Sequence, residues 1–106
     1  MTIPSRVKLV EVGPRDGLKN EKVHVPTDVK VELIGKLADA GLSVIEAGSF
    51  VSPKAVPQMA GTDALFAALH APEGVRLSAL VPNMRGYENA VAAGVKTVAV
   101  VASATE

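Results

Sequence analysis

Ala40-Gly41-Leu42-Ser43-Val44-Ile45 and Ala93-Gly94-Val95-Lys96-Thr97-Val98 are two versions of one local pattern. Each passes from a helix-like segment through a glycine into a β-rich apolar stretch. Glycine just past the last helical turn is a common helix stop. A short apolar run after it reads as a strand covered on both faces. Units of this kind make parallel sheets with right-handed crossovers. Outward from them, the chain reads as alternating strands and helices. Residues 7–12 (Val7, Leu9, Val10, Val12) form a first strand that stops at Gly13-Pro14. A polar loop over 21–27 leads to Pro26, and Thr27 or Asp28 is placed to cap a helix carrying Val29, Leu33, Ile34, Leu37 and Ala38 at helical spacing. Residues 42–47 are a second strand. A helix with Ala64, Leu65, Ala68 and Leu69 on one side ends before Pro72, and residues 75–81 are a third strand. Asn83 caps a third helix, Gly94 closes it, and residues 95–101 are a fourth strand.

The order β-α-β-α-β-α-β is that of an α/β protein built from parallel βαβ units. It fits a doubly wound domain or the N-terminal half of a (β/α)8 barrel, which needs about 250 residues when whole. Four strands of an unclosed barrel leave edges exposed at 7–12 and 95–101. The expectation is therefore that residues 1–106 are one partial barrel domain, truncated from something longer or completed by a second copy.

Composition narrows the functions. The 106 residues are 48% hydrophobic, which excludes a disordered chain. Lys+Arg and Asp+Glu are both 11, so no excess charge favours a nucleic acid or an anionic membrane as partner. Cys is 0, which removes disulfides, thiolate ligands and cysteine nucleophiles. No leader is legible and no run is long enough to span a bilayer, so the cytoplasm is the expected location.

The chemistry points to Val12-Gly13-Pro14-Arg15-Asp16-Gly17, where the first strand ends. In α/β proteins that is where sites are built. If extended geometry persists, Glu11, Gly13 and Arg15 share one side, while Val44, Glu46 and Gly48 share a side of the second strand. Parallel strands put both ends on one rim, so Arg15, Asp16 and Glu46 are expected to converge. Two carboxylates and a guanidinium suit a hard divalent ion and an anionic substrate. The competing reading is structural: Arg15 pairs with Glu11 or Glu46 and holds the rim together. Ser49, Ser52 and Lys54 lie in the loop after the second strand, where Ser52 and Lys54 read as solvated. His24 and His70 are isolated surface residues, and Phe50, Phe66 and Tyr87 read as packing. No Gly-x-Gly-x-x-Gly follows the first strand, which argues against dinucleotide binding.

Glu11-Val12-Gly13-Pro14-Arg15-Asp16-Gly17-Leu18 with Asn20-Glu21 resembles the first strand and loop of hydroxymethylglutaryl-CoA lyases. Further blocks agree in order: residues 40–46, Ser49-Phe50-Val51-Ser52-Pro53-Lys54, Val56-Pro57-Gln58-Met59, residues 82–88 and residues 92–96. The resemblance implies a TIM barrel that uses a divalent metal, magnesium or manganese, to cleave 3-hydroxy-3-methylglutaryl-CoA into acetyl-CoA and acetoacetate in leucine breakdown. It implies that Asp16 is a metal ligand and that Arg15 contacts the thioester carbonyl and stabilises the enolate. It implies that Glu46 is a functional acid near the metal and that Ser49 is a substrate-binding residue. The implied partner is an acyl-CoA substrate, with a homo-oligomer also open. Lys19 stands where the family commonly has glutamine, and Ala55 where it has tryptophan. The family's metal-binding histidines and asparagine and its catalytic cysteine lie in later strands, so this chain alone is expected to be inactive. Claisen-type synthases such as isopropylmalate or homocitrate synthase share Arg-Asp-Gly but usually precede it with Thr-Leu, whereas Gly13-Pro14 stands here. A non-catalytic, self-associating half-barrel is the third possibility.

Overall fold

The computed structural model describes residues 3–102 and 104. Four strands, β1 (Val10–Glu11), β2 (Val44–Ser49), β3 (Arg76–Val81) and β4 (Thr97–Val100), alternate with three helices, α1 (Thr27–Asp39), α2 (Thr62–Ala68) and α3 (Met84–Ala92). All strand pairs are parallel, in the spatial order β1-β2-β3-β4. That order decides between the two architectures. A doubly wound sheet reverses its strand order at a switch point, whereas here each strand is laid beside the previous one in a single direction. Successive right-handed crossovers then put the helices on one face, as in part of a barrel.

The twin glycine motifs have a common structural cause. Gly41 (φ 103°) and Gly94 (φ 82°) are both left-handed. In each case the glycine N–H and the next N–H reach back into the last helical turn. Gly41 N donates to Ala38 O and Leu42 N to Leu37 O, while Gly94 N donates to Val91 O and Val95 N to Ala90 O. This is the Schellman arrangement, which spends two otherwise orphaned carbonyls and turns the chain toward the sheet. Asn83 caps α3 as expected, its Oδ1 accepting from Gly86 N at 2.8 Å. The start of α1 differs. Pro26 is the N-cap residue, with its carbonyl accepting from Lys30 N, and neither Thr27 nor Asp28 caps by its side chain. Asp28 instead lies in the first turn, where the helix dipole favours a carboxylate.

The core lies between helices and sheet. Ile34 of α1, Ile45 and Ala47 of β2 and Leu65 of α2 form its buried centre, with Val31, Leu37, Phe66, Leu69 and Leu77 packed against it. The inward stripe is Thr62, Leu65 and Phe66 of α2 with Leu69 just past its end, while Ala64 and Ala68 are exposed. The expected face was therefore rotated, because the 62/65/66/69 spacing follows the helical repeat and the alanines fall beside it. Val29 is also exposed, and Tyr87, expected to pack, is 45% exposed. Phe50 and Phe66 do pack, with ring centroids 6.1 Å apart.

The first strand is shorter than expected. Only Val10 and Glu11 pair, opposite Val44 and Ile45. It has a neighbour on one side alone, and the chain coils at Gly13 into a five-residue π-helical turn, Gly13–Gly17.

Candidate active site on the strand rim

The π-turn overturns the assumption of extended geometry through Arg15. Arg15 N and Asp16 N both bond to Val12 O, at 3.1 and 2.6 Å, which winds the chain back over the end of the sheet. Glu11 is in register with Ile45, whose side chain belongs to the helix-side core. Glu46, one residue on, faces the opposite side. Arg15 therefore joins Glu46 and not Glu11: its Nε donates to Glu46 Oε2 at 2.8 Å, with the Glu46 side chain 5% exposed. The other end of the guanidinium bonds to Asp16, Nη1 to Oδ1 at 3.2 Å. The three residues converge on the rim as expected, with Arg15 between two carboxylates.

Lys19 extends the row, its Nζ lying 2.9 Å from Asp16 Oδ1. The Lys19 hydrogen bond and charge, with a further contribution from the Arg15 charge, hold the Asp16 carboxyl below its usual range. Glu46, Arg15, Asp16 and Lys19 thus alternate in sign.

Ser49 reaches this face through a β-bulge. Glu46 lies opposite Ser78 and Gly48 opposite Ala79, so Ala47 is an extra residue in β2. Regular alternation would put Glu46 and Gly48 on one side and Ser49 on the other. The bulge reverses this beyond Ala47. Gly48 now faces α2, where an added Cβ would stand 2.9 Å from Thr62 Cγ2. Ser49, in register with Leu80, returns to the side of Glu46 and Ser78. The grouping of Val44, Glu46 and Gly48 is corrected accordingly. Ser49 is 3% exposed and its hydroxyl has no hydrogen-bond partner among the described residues. A buried hydroxyl without a partner is an open donor and acceptor for a ligand.

Ser49 also lines a cleft of about 920 Å³ between the loop after β2 and the start of α3, bordered by Lys54, Asn83, Arg85 and Asn89. Arg15, Asp16 and Glu46 are not among its lining residues. Asn83 faces the cleft while serving as the α3 cap.

The donor chemistry meets a metal's needs only in part. Among the described residues no three His, Cys, Asp or Glu gather around a common point. Asp16 offers one hard oxygen ligand, with Oδ1 already shared by two cations, and Glu46 is committed to Arg15 through Oε2. A divalent ion here requires ligands that residues 3–102 do not bring together.

Three polar residues escaped the sequence reading. Thr62, buried, shares its one hydroxyl proton between Met59 O (2.7 Å) and Ser49 O (2.9 Å), tying α2 to the end of β2. Lys30 is buried in α1, and Gln58 bridges two rim loops. The only signal for Lys30 was its position four residues before the core residue Ile34, on the same helical face.

The chain is similar to known proteins over nearly its whole length. The HMGL-like family model matches residues 6–106. The mitochondrial hydroxymethylglutaryl-CoA lyase of Rattus norvegicus is 56% identical over 99% of this chain and 32% of its own length. The Pseudomonas aeruginosa 3-hydroxy-3-isohexenylglutaryl-CoA/hydroxy-methylglutaryl-CoA lyase is 54% identical over the whole chain and 35% of its own. A crystal structure of the hydroxymethylglutaryl-CoA lyase from Pseudomonas aeruginosa superposes with a TM-score of 0.87 at 54% identity, covering 94% of this chain and 33% of that one. An HMG-CoA lyase from Acinetobacter baumannii in complex with coenzyme A and 3-methylmalate gives 0.88 at 42% identity over 99% of this chain and 35% of its own. The chain thus spans about a third of the length of these relatives. A parallel sheet in sequential order, an arginine between two carboxylates on its rim and a match over residues 6–106 lead to one conclusion: this chain belongs to the HMGL-like family.

Proposed function

We propose that this chain supplies the first four strands, and one wall of the active site, of a barrel enzyme that cleaves 3-hydroxy-3-methylglutaryl-CoA into acetyl-CoA and acetoacetate. The observation that carries the reading is the clamped guanidinium, bonded through Nε to buried Glu46 and through Nη1 to Asp16. Cleavage needs the tertiary hydroxyl to lose its proton and become the ketone of acetoacetate. The electron pair of the breaking C–C bond passes to the thioester carbonyl of the departing fragment as an enolate. The enolate takes up a proton to become acetyl-CoA, which balances the one the hydroxyl gives up. The enolate charge is absent from the substrate. A cation already fixed at the point where it appears lowers the barrier without reorganising. Arg15 is such a cation, with Glu46 as the residue that positions it. Ser49 offers its unpartnered hydroxyl to the substrate.

Asp16 is proposed as one metal ligand, and magnesium or manganese, completed by ligands from other residues, would lower the pKa of the substrate hydroxyl. The bound coenzyme A of the Acinetobacter structure supports an acyl-CoA substrate. The Lys54 and Arg85 side of the cleft suits its phosphates. A place in leucine breakdown follows from the same substrate. A cytoplasmic location is proposed too. No helix among the described residues is long and apolar enough to cross a membrane, and the relatives include mitochondrial and cytoplasmic forms.

The test is Arg15→Lys in the full-length protein. Lysine keeps a positive charge beside Glu46 but lacks the planar fork. Acetoacetate release should fall by about 10²–10³ in kcat, with KM little changed. A kcat within threefold of the parent removes Arg15 from the chemistry.

A further inference from the structure

Two loops form the rim, one carrying Arg15 and Asp16 and the other following Ser49. A short chain of hydrogen bonds crosses from one to the other. Lys30 Nζ, in α1, donates to the carbonyl of Gln58 at 2.8 Å. The Gln58 side chain in turn donates from Nε2 to the carbonyl of Glu21 at 2.8 Å. On the near side, Glu21 N bonds to Leu18 O, and Asn20 Nδ2 bonds to the carbonyl of Asp16 at 3.0 Å. On the far side Met59, next to Gln58, accepts from Thr62, which also holds Ser49 O. The path from Asp16 to Ser49 alternates hydrogen bonds with two backbone steps, Asn20-Glu21 and Gln58-Met59.

Lys30 is an unusual support. It is 5% exposed, yet among the described residues its ammonium hydrogen-bonds only to a neutral carbonyl and pairs with no carboxylate. An ammonium buried on such terms is an expensive fastener, since an apolar side chain of similar length fills the space without the desolvation cost. Packing alone does not call for a lysine here. What the ammonium adds is direction: it fixes the Gln58 backbone, and through that the side-chain amide that holds Glu21.

We propose that Lys30 and Gln58 are positioning residues, a two-bond strut that sets the Arg15–Asp16 turn against the Ser49 end of β2. The inference rests on the reading of Arg15 and Asp16 as site residues given above. Reaction geometry is sensitive to displacements of an ångström or less. Releasing the strut should therefore lower turnover more than substrate binding or stability.

The experiment compares Gln58→Ala, Lys30→Met and the double variant in the full-length protein, with Arg15→Lys in parallel. Gln58 is half-buried and outside the core cluster, so its truncation leaves the core intact if Lys30→Met folds poorly. Each single variant should lose about tenfold in kcat with KM within about twofold. The double variant should be no worse than the weaker single one, because both act through the same path. Melting temperature should not fall in step. Hydrogen exchange over residues 13–20 should quicken in Gln58→Ala. If exchange there is unchanged, the strut does not hold the turn and the inference is overturned. It is also overturned if Arg15→Lys is impaired while Gln58→Ala and Lys30→Met turn over like the parent. If instead Arg15→Lys is fully active, the functional reading fails, and the exchange experiment still decides whether the strut exists.

Discussion

Lys30 shows what one buried charge does to a small core. Burial pushes its pKa below the ordinary lysine value of 10.5. Between the lowered folded value and 10.5 the unfolded chain binds more protons than the folded one, so stability rises with pH across that window. Below the window the ammonium is charged in both states, and its burial is a standing cost. Lys30→Met removes the titrating group. Thermal melts from neutral pH to about pH 10 should then show a flatter alkaline profile for the variant, with its advantage largest near neutrality. Parallel profiles for the two proteins would mean that Lys30 keeps an ordinary pKa. Lys30 was not legible beforehand because a lysine in a helix is usually at the surface. Arg15, Asp16 and Glu46 were legible, since strand ends and parallel pairing already put them on one rim.

Elements meet through glycines in two distinct ways. At Gly41 and Gly94 a left-handed φ is needed, and that requirement was visible in the chain as a repeated motif. At Gly86 the backbone is ordinary helix, and the requirement is space. A Cβ there would stand 2.5 Å from the Phe50 carbonyl oxygen and 3.1 Å from Pro82 Cδ, neither of which can swing aside. The start of α3 is therefore pressed onto the end of β2, beside the cleft. Gly35, in α1, has nothing within 4 Å of the same point. Alanine is the better helix former by about 1 kcal/mol, so Gly35→Ala should raise the melting temperature. Gly86→Ala gains the same propensity but must overcome the clash, worth about 1–3 kcal/mol, and should lower it. Equal shifts in both would show that α3 is free to lift. Such close approaches, like the Ala47 bulge, depend on residues distant in sequence and leave no local signature.

At the scale of the molecule the sheet is open. A compact monomer of 10.9 kDa exposes about 5,600 Å², whereas this one exposes 7367 Å². Its radius of gyration, 14.3 Å, exceeds the roughly 13 Å of a closed domain of this length. Apolar side chains are bare at both edges, with Leu9 at 66% and Val100 at 74%. Unpaired parallel edges with apolar flanks recruit partners. The 106-residue polypeptide on its own should therefore self-associate, and light scattering should report species above the monomer mass. A single monomeric species at micromolar concentration would show that the edges protect themselves.

Legible in the chain alone were the α/β class, the alternation of elements, the two glycine stops, the α3 cap and the rim that holds Arg15, Asp16 and Glu46. These depend on periodicity and on residues a few positions apart. Tertiary structure decided the rest. The sequential strand order excluded a doubly wound sheet, the π-turn carried Arg15 from the side of Glu11 to Glu46, and the bulge at Ala47 brought Ser49 round to the same face. Each of these outcomes depends on which backbone groups pair across the sheet, and that choice is made by neighbours the local pattern does not contain.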